Sequence, residues 1–538
     1  MAQGFNPWPK VLTLGKMHRN LGPKNRFSTK KRLDFSYEFP FFARKIIVRL
    51  LSSKYFLRPV WSLGLIVSLF LVSCQEPAEV IVPKGDDGQV FAIDTEQSEL
   101  PYLVIDTQGK EIPYEPGTAA KMKIYQQKKL IQEQLIDLEY RGKTSFRLSD
   151  KKGFNFETID ASGEGIDVSF FGLPVEEDWR LIGHVVNLKE KYVWDQSLIY
   201  NHVGYELSNK IGKYASRGKF VEIEVNGEYL GVYFFCEKLK RDSKRIDIKS
   251  LNATSTNLTG GYILKIDKAD AGPEHDGKPL SYFLNNWDDD ARYTSFNSFR
   301  SNFDIFQKPI TFPAFQPPYH AQQFLETYFL YEYPNAEDIT SAQKDYIAGY
   351  LNQFERALIG DDFSTSVRTY TNFIQLNSFV DYFLITELCR NVDAYRISTF
   401  LQKDRDGKLA MGPVWDMNIG FDEGDRIPMN DWVVNYNKYV NNDPWMVPFW
   451  WTRLLEDPVF RKAVKVRWQA LRQGELSPSA LQRVVDDADS YLKKNGAVKR
   501  NYAKWDQGIG VNHEGAIQNL KVFLTDRSNW MDGKIGAW

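Results

Sequence analysis

The hydrophobic period of this chain changes once, and that change limits the possible folds more than any other feature. Up to about residue 266 the apolar residues tend to alternate. The clearest case is "KFVEIEVNGEYLGVYFFCEKLKR": Val221, Ile223 and Val225 share one face of an arm, and Asn226-Gly227 supplies left-handed turn residues for a hairpin. "LPYLVIDTQGKEIPYEP", "AKMKIYQQ", "LIDLEYRGKTSFRLSDKKGFNFETID" and "GGYILKIDK" read as further strands. One helix interrupts them, "WDQSLIYNHVGYELSNKIG", with Leu198, Val203 and Leu207 near helical spacing and Gly212 as its stop. Residues 270–340 are aromatic and Pro-containing, and read as an insertion or a long loop. From Ser341 onward the pattern is helical, through "AQKDYIAGYLNQFERALIG", "NSFVDYFLITELCRN" and "PFWWTRLLEDPVFRKAVKVRWQALRQGELSPSALQRVVDDADSYLKK". A β-rich first half and a helical second half predict an α+β fold with two lobes. The length, 538 residues, also exceeds what one hydrophobic core usually serves.

Charge divides the chain a second time. Residues 1–73 hold 13 Lys and Arg against 2 Asp and Glu; the remainder holds 55 against 67. An acidic body argues against nucleic acid as the main partner. At the join, Lys54 and Arg58 precede an apolar run from Val60 to Val72, followed by Ser73-Cys74. A run of about 13 residues is short of the ~20 a membrane span needs, and matches the apolar core of a secretory signal. Leu71-Val72-Ser73-Cys74 resembles the lipobox of bacterial lipoproteins, in which the Cys is lipidated; a short membrane anchor is the alternative. Either places the body outside the cytoplasm, and Gln75 after the Cys points to an outer membrane. Residues 1–50 fit poorly upstream of such a signal, so the true start is expected near residues 48–57. The resulting division is 1–73 extension and signal, 74–98 lipidated Cys and tether, 99–134 a β segment, and 135–530 the main domain.

Cys236 and Cys389 sit in apolar contexts and read as buried free thiols. His18, His184, His202, His275, His320 and His513 show no metal-ligand spacing, and neither CxxC nor HExxH occurs, so a zinc site is not expected.

Two aspartates carry the functional argument. In "NVDAYRISTFLQKDRDGKLAMGPVWDMNIGF", strands of about Arg396–Lys403 and Leu409–Trp415 flank a turn at "DRDGK". Pairing Arg405 with Lys408 sets Asp416 opposite Ile397, four residues from Asp393. The two carboxylates then share one end of the hairpin, within roughly 10 Å at ~3.3 Å per residue. Such a pair suits phosphoryl transfer: one carboxylate orients or deprotonates the acceptor hydroxyl, and the other binds magnesium on the nucleotide phosphates. Equally, each Asp could simply cap a turn.

These residues also resemble a known family. "ELCRNVDAYRISTFLQKDRDGKLAMGPVWDMNIGF" looks like the signature block of the CotH spore-coat kinases, and "EYRGKTS…KKGFNF", "DWRLIG", "NGEYLGVY" and "VPFWWTRLLEDPVFRKAVKVRW" resemble its other blocks in order. The resemblance spans roughly residues 135–530. It implies a divergent two-lobed protein-kinase-like fold and ATP-dependent phosphorylation, with Mg or Mn, of Ser or Thr on a secreted or surface protein acceptor. By position it makes Asp393 the catalytic residue and Asp416 a metal ligand with Asn418. Arg141, Lys152, Glu237 and Lys238 are the candidates near the nucleotide. The chain departs from the pattern at three places. Ser398 stands five residues after Asp393, where a protein-kinase loop carries a metal-binding Asn. Asn418 replaces an acid in the family's WDxD pattern, and Tyr200 replaces a basic residue. The alternative implied by those departures is a catalytically inactive surface lipoprotein on the same fold, binding a glycan or protein partner through the aromatic stretch 280–320. A metal-dependent hydrolase using the same carboxylates is a third reading.

Overall fold

The computed structural model describes residues 88–93, 100–270, 272–421 and 426–538. The expected signal, Cys74 and most of the tether lie outside the described residues. No helix among the described residues is long and apolar enough to cross a membrane.

The first half is built from β1 (Tyr102–Asp106), β2 (Thr118–Gln126), β3 (Lys129–Arg141), helix α1 (Thr144–Leu148), β4 (Gly153–Ile159), β5 (Asp178–Ile182), the short pair β6 (Val186–Asn187) and β7 (Tyr192–Val193), α2 (Tyr200–Lys210), β8 (Gly218–Val225) and β9 (Glu228–Glu237). Seven of these strands close into a barrel in the order β1-β2-β3-β4-β5-β9-β8. The alternation explains the closure. Ile136 and Leu138, Phe154 and Phe156, Trp179 and Leu181, and Tyr233 and Phe235 all enter one interior cluster. The β8–β9 hairpin turns at Asn226 and Gly227, both at positive φ, as their sequence predicts.

Residues on the other face of the barrel wall point toward the helical half. Their register is fixed: Glu139 pairs with Asn155, Asn155 with Arg180, and Arg180 with Cys236. Cys236, Phe234 and Ile182 join the main core that the helices complete. Cys236 and Cys389 are both buried free thiols.

The second half contains β10 (Tyr262–Ile266), α3 (Leu280–Asn285), β11 (Ser298–Arg300), β12 (Tyr328–Tyr333), α4 (Ser341–Ile359), α5 (Leu376–Cys389), β13 (Thr399–Lys403), β14 (Leu409–Met411), α6 (Tyr436–Tyr439), α7 (Trp450–Glu456), α8 (Pro458–Gln473), α9 (Pro478–Lys493), α10 (Ala497–Trp505) and α11 (His513–Gly536). Its sheet runs β11-β12-β10-β13-β14. The stretch 270–340 is therefore more than a loop, since it supplies β11 and β12. Helix α5 is buried at every residue from Ser378 to Cys389, as befits a helix apolar on all sides. It ends at Arg390, in the left-handed conformation, which hands the chain to the Asp393 loop.

The β13–β14 hairpin differs from the expected register by one residue. Leu401 faces Met411 and Lys403 faces Leu409, so five residues, 404–408, form the loop. Pairing ends near Met411, and the chain reaches Asp416 outside the strand. Continued register would set Asp416 opposite Arg396 rather than Ile397. Both aspartates still lie at the same end of the hairpin.

Candidate active site

Asp393 and Asp416 are joined through a residue the sequence did not single out. The Asn391 side chain accepts the Asp393 N–H at 3.3 Å and donates to the carbonyl oxygens of Trp415 at 3.3 Å and Asp416 at 3.1 Å. One buried amide thus fixes the loop after α5 against the segment after β14. Gly420 continues that contact: a Cβ there would come within 3.0 Å of the Cys389 carbonyl. Deeper support comes from a buried ion pair. Arg527 on α11 meets Glu387 on α5 at 3.0 Å, and Glu387 also accepts the N–H groups of Val433 and Val434 and the Tyr395 hydroxyl.

The two carboxylates have different surroundings. Oδ1 of Asp393 accepts a hydrogen bond from Arg396 at 2.5 Å and lies 3.8 Å from Arg426. Arg396 is itself buried, stacked 4.3 Å over Tyr436 and bonded to the Val392 and Trp445 carbonyls. Among the described residues nothing donates to Oδ2 of Asp393. Asp416 adopts a positive φ of 54°, and its N–H reaches the Tyr205 hydroxyl at 3.2 Å. Its carboxylate accepts no hydrogen bond from any described residue. Burial pushes that carboxyl up to about 6; Arg141 opposes the shift, Asp393 and Asp267 add to it, and Lys268 opposes it.

Opposite these acids stand two arginines from the barrel wall. Arg141 at the end of β3 and Arg180 on β5 both lie over the Trp415 ring, 5.7 and 4.6 Å from its centroid. Tyr205 stacks on the same ring at 5.7 Å and 12°. Neither guanidinium makes a hydrogen bond or an ion pair with a described residue, and Nε of Arg180 is buried without a partner. Burial and the nearby charge of Arg141 lower the pKa of Arg180. Two unneutralised cations on an aromatic platform, beside an unpaired carboxylate, form an arrangement suited to an anion carrying a divalent cation. Arg180 was not singled out by the sequence; only the strand register shows that it shares a face with Arg141.

The other sequence candidates have partners elsewhere. The ammonium of Lys152 donates to the Phe146 carbonyl at 2.5 Å, closing α1. Glu237 is fully buried and holds Arg217 through both oxygens, at 2.6 and 3.0 Å, with Tyr214 at 3.2 Å. Lys238 pairs with Asp178 at 2.9 Å. None of the three bonds to Asp393 or Asp416. Asn418 is half-buried two residues past Asp416, and its amide bonds to no described residue.

Among the described residues, no cage of three or more acidic, His or Cys side chains forms around Asp416. Among the described residues one group of three acids has ligand oxygens within 4.8 Å of one another, Glu176, Glu177 and Asp178. The Lys240 ammonium sits among all three, at 2.7, 3.2 and 2.6 Å, where a cation would otherwise bind, and Lys238 and Arg245 add charge against Asp178 and Glu176. At Asp416 the free carboxylate oxygens fit a magnesium ion bound by one or two acids plus phosphate.

The family model described as CotH kinase protein matches residues 138–531. No curated protein matches the chain. The match covers more than half of the sequence, and the chain belongs to the CotH kinase protein family.

Proposed function

We propose that this CotH-family chain is a divalent-metal-dependent phosphotransferase that moves the γ-phosphoryl group of ATP to a Ser or Thr hydroxyl of a protein acceptor. The observation that carries this reading is the set around Trp415: among the described residues, the Asp416 carboxylate has no donor and the guanidinium groups of Arg141 and Arg180 have no carboxylate bonded to them. Placing unpaired charges at partly buried positions costs stability, and a ligand of complementary charge offsets that cost.

Each residue then has a task. Arg141 and Arg180 bind phosphate oxygens, and Trp415 holds their planes in place. Asp416 holds the cation, with Asn418 as a neutral oxygen donor beside it. A bound magnesium or manganese ion would neutralise charge on the transferring phosphoryl group. Asp393 has one oxygen fixed by Arg396, which leaves the other to accept the acceptor's hydroxyl proton. We also place the body, roughly residues 135–530, outside the cytoplasm, tethered through a lipid on Cys74 and directed to the outer membrane.

The test is incubation of the protein with γ-labelled ATP and manganese. Label should pass to the protein itself or to a secreted acceptor, and should be lost in both Asp393→Ala and Asp416→Ala. Transfer that persists in both variants would remove the assignment. Thermal stabilisation by a glycan but not by Mn-ATP would favour a non-catalytic surface protein instead.

A further inference from the structure

The register of the second sheet adds one more residue to the site. Strands β10 and β13 run antiparallel, with Lys265 opposite Phe400 and Ile266 opposite Thr399. Asp267 directly follows the last paired residue of β10 and Ser398 directly precedes the first of β13, so the two leave the sheet at the same end. Ser398 is five residues past Asp393, where a protein-kinase loop presents the Asn that ligates a second magnesium. A serine hydroxyl is a weak substitute for that amide oxygen. The neighbouring strand brings a carboxylate to the same place.

Asp267 has the surroundings of a ligand rather than of a structural acid. One oxygen accepts the Lys268 N–H at 2.8 Å, which orients the carboxylate. Its second oxygen receives no hydrogen bond from a described residue. The nearby ammonium groups are engaged with other acids: Lys143 and Lys265 both bind Asp270, at 3.0 and 2.8 Å, and Lys265 also binds Glu332. The backbone is held too, since the Tyr293 hydroxyl donates to the Asp267 carbonyl at 2.6 Å.

On the phosphotransferase reading above, we propose that Asp267 is a further ligand of the divalent cation–nucleotide complex, supplying from the end of β10 the oxygen that Ser398 does not. The site then draws its acids from two separate segments, Asp267 from just beyond β10 and Asp416 from beyond β14. This also accounts for the tolerance of Asn418, because the acid absent there has a counterpart across the sheet.

Binding of Mn2+ to the full chain, followed by electron paramagnetic resonance in the presence of a non-hydrolysable ATP analogue, tests the assignment without any turnover. Asp267→Asn should weaken Mn2+ binding about tenfold or more and alter the bound-ion spectrum. Adding Ser398→Asn to that variant should recover part of the affinity; Ser398 has a φ of 49°, which Asn tolerates. If Asp267→Asn binds Mn2+ like the wild type while Asp416→Asn does not, the Asp267 assignment fails and the phosphotransferase reading stands. If the wild type binds no Mn2+ with nucleotide, both fail. Melting in chelator checks that each variant folds. Should Asp267→Asn not fold, Asp267→Glu decides: a ligand role shifts the Mn2+ affinity, and an unchanged affinity overturns the proposal.

Discussion

Replacing Asp416 by Asn should make the metal-free protein more stable at neutral pH. Burial raises this carboxyl from its ordinary 3.8 to about 6. A raised acid holds its proton more tightly in the folded state than in the unfolded state. Its ionisation therefore removes stability as pH climbs from about 4 to about 6, and the full penalty is present above that window. A shift of about two units corresponds to about 3 kcal/mol. Asn has nearly the same shape, carries no charge and tolerates the positive φ at this position. Chemical denaturation in chelator should show Asp416→Asn stabilised by up to about 3 kcal/mol at pH 7.5, with the difference near zero at pH 4. Saturating Mn-ATP should reverse the order at pH 7.5, because only the wild type gains the bound cation. A variant less stable than the wild type at pH 7.5 in chelator, by the same amount at pH 4, would refute the reasoning; Asp416 would then be an ordinary structural acid.

Four other perturbations separate the site from its scaffold. Arg180→Gln should weaken Mn-ATP binding by about tenfold or more, the loss of a charge-assisted hydrogen bond, while metal-free stability should rise, because a buried unpaired charge is removed and no partner is stranded; calorimetric titration and denaturation read the two effects. Glu237→Gln should do the reverse, costing roughly 1–3 kcal/mol by freeing Arg217 and leaving nucleotide affinity unchanged. Arg527→Met leaves Glu387 charged and buried, and should cost about 3–5 kcal/mol in chemical denaturation. Asn391→Ala should lower turnover more than nucleotide affinity, since it releases the Asp393 loop from the Asp416 segment without touching Arg141 or Arg180.

Local chemistry made some elements readable. The β8–β9 hairpin announces itself through alternation and Asn226-Gly227. The start of α4 at Ser341 follows from the switch to a helical pattern; the structure adds a cap that the sequence analysis did not name, with Thr340 accepting the Gln343 N–H at 3.3 Å and the Gln343 side chain accepting the Thr340 N–H at 2.9 Å. The β13–β14 register was not readable, because distant residues set its loop. Asp404 accepts the Lys249 N–H, Thr259 donates to Asp406 and accepts its N–H, and Arg405 reaches the Ser250 carbonyl. Those contacts hold five residues in the loop where Asp406-Gly407 alone suggests a tighter turn. Barrel closure was equally hidden, since it depends on parallel pairing of β1 with β8, more than a hundred residues apart.

The site divides along the same line. Asp393 and Asp416 could be paired because a single hairpin separates them. Arg180, Asn391 and Asp267 carry no local signal. Arg180 enters the proposal by lying across β4 from β3, Asn391 by bridging two loops, and Asp267 by following β10 at the sheet end where Ser398 precedes β13. The candidates that found structural partners, Lys152, Glu237 and Lys238, stand at strand ends and bond to neighbouring segments: the Phe146 carbonyl, Arg217 and Asp178. In one sequence such lysines and acids look the same as phosphate-binding ones.

The central claim is that one cation, held by Asp416, meets a nucleotide held by Arg141 and Arg180. Anomalous diffraction from crystals grown with Mn2+ and a non-hydrolysable ATP analogue tests it most directly. A manganese peak in bonding distance of an Asp416 carboxylate oxygen is expected, with analogue phosphates against both guanidinium groups. A peak at Glu176–Asp178 instead, or nucleotide bound away from Trp415, would contradict it.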